Sequence, residues 1–135
     1  MRYLSVLCFL LISFSCIGKQ ASSERKRIFY VDADSGSDAN SGHSPELEWA
    51  GLEKVNETIY QSGDQILFNA GTKYKGQLVL NGSGNQNHPI MVDKYGDGAR
   101  PLIEAEGNFS EALIIKNLKF WNVQNLECTN SGIIK

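Results

Sequence analysis

The chain has 135 residues, of which 41% are hydrophobic and 21% are charged, and its formal net charge is −2 at pH 7. This length is enough for one domain but not for a large one. The slight acidic excess argues against a protein that binds nucleic acid through its overall charge, and the sequence displays no local positive site for a polyanionic substrate.

The first 15 residues have the pattern of a signal peptide. Arg2 precedes an almost wholly apolar run from Tyr3 to Phe14, and small residues follow that run. The run is shorter than the roughly 20 apolar residues that a membrane-spanning helix needs. We therefore predict that residues 1–15 are removed and that the mature protein is extracytoplasmic, either in the cell envelope or secreted.

Cys16 stands where a bacterial lipoprotein carries its lipid. A cysteine at the new N-terminus can be acylated, and two or more acyl chains give stable membrane anchoring. Ser13 occupies the position where such signals usually have leucine, so ordinary secretory cleavage remains the alternative. We predict lipidation of Cys16, membrane contact only through that lipid, and a polar, basic tether over residues 16–27.

The folded part is predicted to begin at Ile28. Residues 28–31 are β-branched or aromatic and predict a strand, and the residues that follow, up to Gly42, have the composition of a loop. After Ser44 and Pro45, apolar residues recur at helical spacing, which predicts an amphipathic helix over residues 48–61. The helical stripe consists of Trp49, Leu52, Val55, Asn56 and Ile59.

Short apolar segments follow Gly63 at a regular spacing. They begin 12 residues apart, and one column is aliphatic at every step: Ile66, Leu78, Ile90, Leu102, Ile114 and Leu126. Evenly spaced short strands indicate a β-sandwich or a solenoid. Continuous apolar triplets, the lack of two-residue hairpin turns between them, and a helix able to cover the first coil favour a parallel solenoid. We expect the whole column to be buried, with two triplets in each coil of about two dozen residues.

The same stretches resemble a known family, the pectin-lyase-fold proteins, which are exported right-handed parallel β-helix proteins. The segments that carry the resemblance are Phe29-Tyr30-Val31-Asp32, Gly36-Ser37-Asp38, Ser44-Pro45, Gly63-Asp64-Gln65-Ile66-Leu67-Phe68, Tyr95-Gly96 and Phe120-Trp121-Asn122-Val123. The resemblance covers essentially all of residues 28–135. It implies an all-β fold: the start of a right-handed parallel β-helix, with an N-terminal capping α-helix, that is truncated after about three coils.

The resemblance implies a polysaccharide as partner but leaves the activity open, because the family includes lyases, glycoside hydrolases and members with no assigned reaction. In the lyases the chemistry lies on later coils, where Ca²⁺ and basic side chains act, so Ca²⁺ is possible in the parent protein. Our first hypothesis is the N-terminal segment of a secreted or lipid-anchored enzyme, a lyase or hydrolase, without its catalytic coils. The alternatives are a non-catalytic glycan-binding β-helix surface protein and a small β-sandwich lipoprotein.

No catalytic, cofactor or metal site is predicted from the residues themselves. Asp32, Asp34, Asp38 and Asn40 alternate as Ca²⁺ ligands can, but the run lacks the glutamate that ends a calcium loop, which favours a turn rich in aspartate and asparagine. Glu104 and Glu106 share a side of a predicted strand, as an acid–base pair could. Glu104, however, simply ends an apolar triplet.

Four further residues could take part in chemistry or binding, but we interpret each of them as structural. His43 and His88 have no nucleophile or carboxylate at a spacing typical of a triad, and we expect both in loops. Trp49 is predicted to lie in the core as part of the helical stripe. Cys128 has no predicted disulfide partner and is expected to be a buried apolar filler.

Replacing Cys16 with alanine tests the predicted lipid anchor. Cells fed a fatty-acid probe should label the wild-type protein and not the Cys16→Ala variant, because only a thiol at the mature N-terminus accepts the diacylglycerol. Equal labelling of both proteins, or release of soluble wild-type protein, would contradict the prediction.

Overall fold

A computed structural model describes residues 25–132. The predicted signal peptide and Cys16 lie outside the described residues. Within this range the elements in chain order are β1 Ile28–Val31, α1 Leu52–Glu57, β2 Gln65–Asn69, β3 Lys73–Lys75, β4 Leu78–Val79, β5 Ile90–Tyr95, β6 Leu102–Glu104, β7 Leu113–Ile114, β8 Trp121–Val123 and β9 Glu127–Thr129. The predicted all-β class is confirmed. Over the described part of the chain, no helix is long and apolar enough to cross a membrane.

The strands form three sheets in which every pair runs parallel. The strand orders are β1-β2-β5-β8, β3-β6-β9 and β4-β7. Strands β2, β3 and β4 each join a different sheet, and the chain then returns to the first sheet with β5. We call the strands between successive returns to the first sheet a layer. Each layer therefore pairs with the preceding one. The predicted parallel pairing is confirmed, and the alternative of an antiparallel β-sandwich is wrong.

The predicted 12-residue register is wrong. Ile66 pairs with Val92, not with Ile90, and Ile103 is fully buried where Leu102 was expected to be. The turn between β5 and β6 is longer than the turn between β2 and β3, so the chain length of a layer is not constant. The predicted column divides accordingly: Ile66, Leu78 and Ile90 are fully buried, whereas Leu102, Ile114 and Leu126 are only half-buried.

The core contains side chains at alternate positions of β1, β2 and β5, together with Tyr74 of β3 and Leu78 of β4. Phe68 of β2 meets Tyr74 of β3 edge to face at 5.0 Å, and both side chains are buried. The Tyr74 hydroxyl donates to the Val31 carbonyl at 2.7 Å, which links β3 to the layer before it. Burying a large apolar side chain stabilises a fold by about 1.5–3 kcal/mol, so these inward positions dominate the stability.

The predicted helix forms, but over six residues only, Leu52–Glu57. Leu52 and Val55 are buried, as the stripe predicted. Trp49 is buried too, but it precedes the helix and forms a parallel bridge with Val31. Ile59 is 72% exposed because the backbone becomes extended at Thr58. The helix predicted over residues 48–61 is therefore too long at both ends.

Asn56 of α1 supplies the hydrogen bonds that the outer edge of β4 needs. Its Oδ1 accepts from the Val79 amide at 2.8 Å, and its Nδ2 donates to the Gln77 carbonyl at 2.9 Å. This side-chain amide thus pairs with β4 as a neighbouring strand would. Unpaired strand edges are otherwise sites of association with other chains.

The last described layer is less covered than the layers before it. Cys128 pairs in register with the fully buried Ile103, yet it is exposed, so the prediction of a buried cysteine is wrong. Trp121 is half-buried, contacts Tyr60 edge to face at 5.8 Å, and donates from Nε1 to the Gly82 carbonyl at 2.9 Å. β8 and β9 are the outermost strands of their sheets within residues 25–132.

Replacing Asn56 with alanine tests the edge cap. The variant leaves the Val79 amide and the Gln77 carbonyl without these partners, which should lower the free energy of unfolding by about 1–3 kcal/mol in urea titrations followed by circular dichroism. Asn122→Ala, at an exposed position of β8, is the matched control and should change it by no more than about 0.5 kcal/mol. Equal stability of the two variants would show that Asn56 is not a cap.

Candidate functional site

Polar side chains form a row at the carboxyl ends of β1, β2 and β5. Val31 pairs with Phe68 and Asn69 pairs with Tyr95, so Asp32, Asn69 and Tyr95 follow one another across the sheet. The Asn69 amide donates to Asp32 Oδ2 at 2.8 Å. Because parallel strands share one direction, their carboxyl ends meet along one edge of the sheet.

Asp32 is a buried carboxylate that organises the loop after β1. It accepts hydrogen bonds from the Asp34 amide at 2.9 Å and from the Ser35 hydroxyl at 2.7 Å. Burial opposes its ionisation, but these donors and Asn69 outweigh burial and hold the pKa of Asp32 below its ordinary value. Asp32 is therefore ionised near neutral pH and cannot serve there as a proton donor.

Glu48 fixes the far end of the same loop to the sheet. It is buried, and the Tyr95 hydroxyl donates to its Oε1 at 3.0 Å. Burial and the adjoining Glu48 carboxylate both raise the pKa of Tyr95. Tyr30 meets Tyr95 edge to face at 5.3 Å. This tyrosine pair joins β1 to β5 beside the carboxylate.

The other residues of the predicted turn bind backbone groups of the loop. Asp38 Oδ1 accepts from the amides of Ala50 and Gly51 at 2.9 and 3.1 Å, and Asn40 Nδ2 donates to the Glu48 carbonyl at 3.0 Å. The structure therefore shows the predicted turn chemistry. Between residues 25 and 132, no group of three or more His, Cys, Asp or Glu side chains is arranged to hold a metal ion.

The outer face of the four-stranded sheet presents a second polar group. Tyr30, Leu67 and Asp93 lie in one register row on this face. Gln124 and Asn125 donate to the two oxygens of Asp93 at 2.7 and 2.9 Å. Burial opposes the ionisation of Asp93, but these amides outweigh it and lower its pKa. An aromatic ring and, two strands away across Leu67, a carboxylate with its amide partners form a surface suited to the apolar and hydroxyl groups of a sugar.

Glu104 and Glu106, which could have formed an acid–base pair on one strand face, do not do so. β6 ends at Glu104, and Glu106 lies beyond it with φ of 53°, so the two side chains do not share a strand face. Glu106 is instead paired with Lys75 at 2.8 Å.

The two histidines lie in loops, as predicted. The ring of His43 lies against Phe29, with ring centres 4.9 Å apart, and its Nδ1 is 3.1 Å from the Ile28 carbonyl oxygen. His88 is exposed in the turn before β5.

Each of the buried carboxylates within residues 25–132 supports the fold. Asp64, which is 1% exposed, forms an ion pair with Arg27 and accepts from the Gln61 amide at 2.7 Å. Asp32 and Glu48 are occupied by the loop contacts described above. Acid–base hydrolysis of a glycoside needs two carboxyl groups that both face the substrate, and these three carboxylates are committed to the protein's own donors.

Comparisons with known proteins point to glycoside hydrolases. No protein-family model matches the chain. A lacto-N-biosidase of Bifidobacterium longum subsp. longum is 29% identical over an aligned length of 129 residues, and the match covers 76% of this chain and 8% of that enzyme. Native and selenomethionine crystal structures of the GH136 lacto-N-biosidase from Eubacterium ramulus match with TM-scores of 0.73 and 0.74 at 29% identity, over 80% of this chain and 21% of that chain. This chain thus corresponds to a small part of each relative.

Proposed function

We propose that this chain is part of a glycoside hydrolase that acts on a polysaccharide or oligosaccharide. The observation that supports the proposal most strongly is the match to a lacto-N-biosidase structure, with 29% identity and a TM-score of 0.73. That match extends over 21% of the enzyme's chain. The catalytic activity is therefore proposed for the whole protein, with the described residues as a scaffold that carries no acid–base pair of its own.

The fold that fits this proposal is the start of a right-handed parallel β-helix. Support comes from the order in which the chain visits its three parallel sheets, and from the resemblance of residues 28–135 to pectin-lyase-fold proteins. In this arrangement α1 caps the first coil, as the pairing of Asn56 with β4 suggests.

The outer face of β1-β2-β5-β8 is the proposed contact surface for the glycan. It continues across all four strands, so an extended sugar chain lying along the stack would meet Tyr30, Leu67 and Asp93 in succession. The Tyr30 ring can pack against a sugar's apolar face, and Asp93 with its amide neighbours can bind hydroxyl groups.

Hydrolysis is favoured over elimination because the matched relatives are named as biosidases. A non-catalytic glycan-binding protein is the second candidate. It is favoured by one observation, namely that Asp32, Glu48 and Asp64 are all engaged in holding the loop and the first strands.

We also propose that the protein is exported. The support is the signal pattern of residues 1–15 and the position of Cys16, which together predict a cell-envelope lipoprotein or a secreted protein of a bacterium. An exported glycosidase would meet its glycans outside the cytoplasm.

The test is hydrolysis by the complete product of the gene that encodes this chain. With a chromogenic lacto-N-bioside and a panel of neutral oligosaccharides, we expect released chromophore or new reducing ends. The 135-residue chain alone should release none, because the three buried carboxylates within residues 25–132 are engaged in structural contacts and Glu104 and Glu106 do not share a strand face. The heat-denatured protein is the control.

Two outcomes would overturn the hydrolase proposal. Products with an unsaturated non-reducing end would indicate a lyase. Binding of glycans by the complete gene product without any cleavage would support the non-catalytic candidate.

A further inference from the structure

A groove of about 540 Å³ lies beside the start of β1, which is the edge strand of the four-stranded sheet. Its lining consists of Arg25, Lys26, Arg27, Ile28, Tyr30 and His43. We propose that this groove binds the carboxylate or sulfate group of an acidic saccharide. The proposal stands on the groove itself and does not depend on the hydrolase function.

The groove is positively charged in a chain whose formal net charge is −2. Its lining includes three consecutive cationic residues, and among residues 25–132 no Asp or Glu contributes to it. Arg25 and Lys26 are exposed and lie just before β1, the edge strand of the sheet. Local positive charge of this kind raises the concentration of anions at the groove relative to the rest of the surface.

Arg27 has a different role from its two neighbours. Its Nε donates to both oxygens of Asp64 at 3.1 Å, and its guanidinium lies over the Phe29 ring at 5.1 Å. Asp64 therefore offsets the charge of Arg27 and holds the strand start in place. The positive charge available to a ligand comes from Arg25 and Lys26.

The aromatic side of the groove suits a sugar ring. Tyr30 is half-buried, and it lines both this groove and the outer face of the sheet. His43 also lines the groove and is held by its contacts with Phe29 and the Ile28 carbonyl. An acidic sugar could thus place its ring near Tyr30 and its anionic group near Arg25 and Lys26.

The aromatic ring beside the cations favours a saccharide over a membrane surface. Binding to anionic lipid headgroups works best for an exposed basic segment that can lie flat against the bilayer. Here the cations border a recess that also contains an aromatic ring. A single acidic residue of a glycan fits such a recess better than a plane of headgroups.

Isothermal titration of the full chain with 3′-sialyllactose tests the proposal. The methyl ester of the same trisaccharide is the neutral control, since it keeps the rings and removes the charge. We expect the acid to bind at least about tenfold more tightly than the ester, and to bind more weakly as NaCl rises from 0.05 to 0.5 M, a range in which the screening length falls from roughly 14 to 4 Å.

Variants locate the site. Arg25→Gln and Lys26→Gln should each weaken binding of the acid by about three- to tenfold, because each removes one charge-assisted contact. Lys54→Gln, which makes the same change of charge on α1, is the matched control and should leave binding unchanged. Circular dichroism of each variant checks that the fold is intact.

Three results would overturn the proposal. They are equal affinity for acid and ester, equal effects of Lys54→Gln and Lys26→Gln, and binding to vesicles containing phosphatidylglycerol without binding to 3′-sialyllactose. The last result would assign the basic segment to a membrane surface instead.

Discussion

Backbone hydrogen bonding between successive parallel layers is the interaction on which the rest of the structure depends. Strands of two to six residues have no independent stability, so each layer is held by the layer below it and by its inward side chains. Side chains then supply hydrogen bonds to polar groups that have no partner within the sheets. They are Asp32 and Glu48 at the loop and Asn56 at the edge of β4. No buried side-chain polar atom within residues 25–132 lacks a hydrogen-bond partner.

The sequence located most of the strands but missed β3, so it predicted two strands per coil where the structure has three, and it did not align the strands. β1 coincides with the predicted strand, and the apolar triplets after Gly63 fall on strands. Register depends on turn lengths, and a one-residue error moves each side chain to the other face. This is why Ile103 is buried in place of Leu102. The helix was too long because Trp49 and Ile59 match helical spacing although they lie in loops.

The polar groups of the site were only partly visible in the sequence. Asp32 and its neighbours were predicted as a turn from composition alone. Asn69 and Glu48 were missed because only the parallel register brings them to the same edge. One usable signal existed, since Asp32 directly follows β1 and Asn69 is the last residue of β2. The basic groove is not evident from the sequence, because Arg25 and Lys26 fall within the predicted tether and only the fold sets them beside Tyr30.

The central claim is the parallel, layered register, and disulfide trapping measures it directly. In a chain whose three native cysteines are replaced by serine, cysteines at Leu67 and Asp93 should form a disulfide under mild oxidation, because these positions pair across β2 and β5. Cysteines at Leu67 and Met91, the pair implied by a 12-residue repeat, should not. Efficient bridging of Leu67 to Met91, or no bridging of Leu67 to Asp93, would contradict the account.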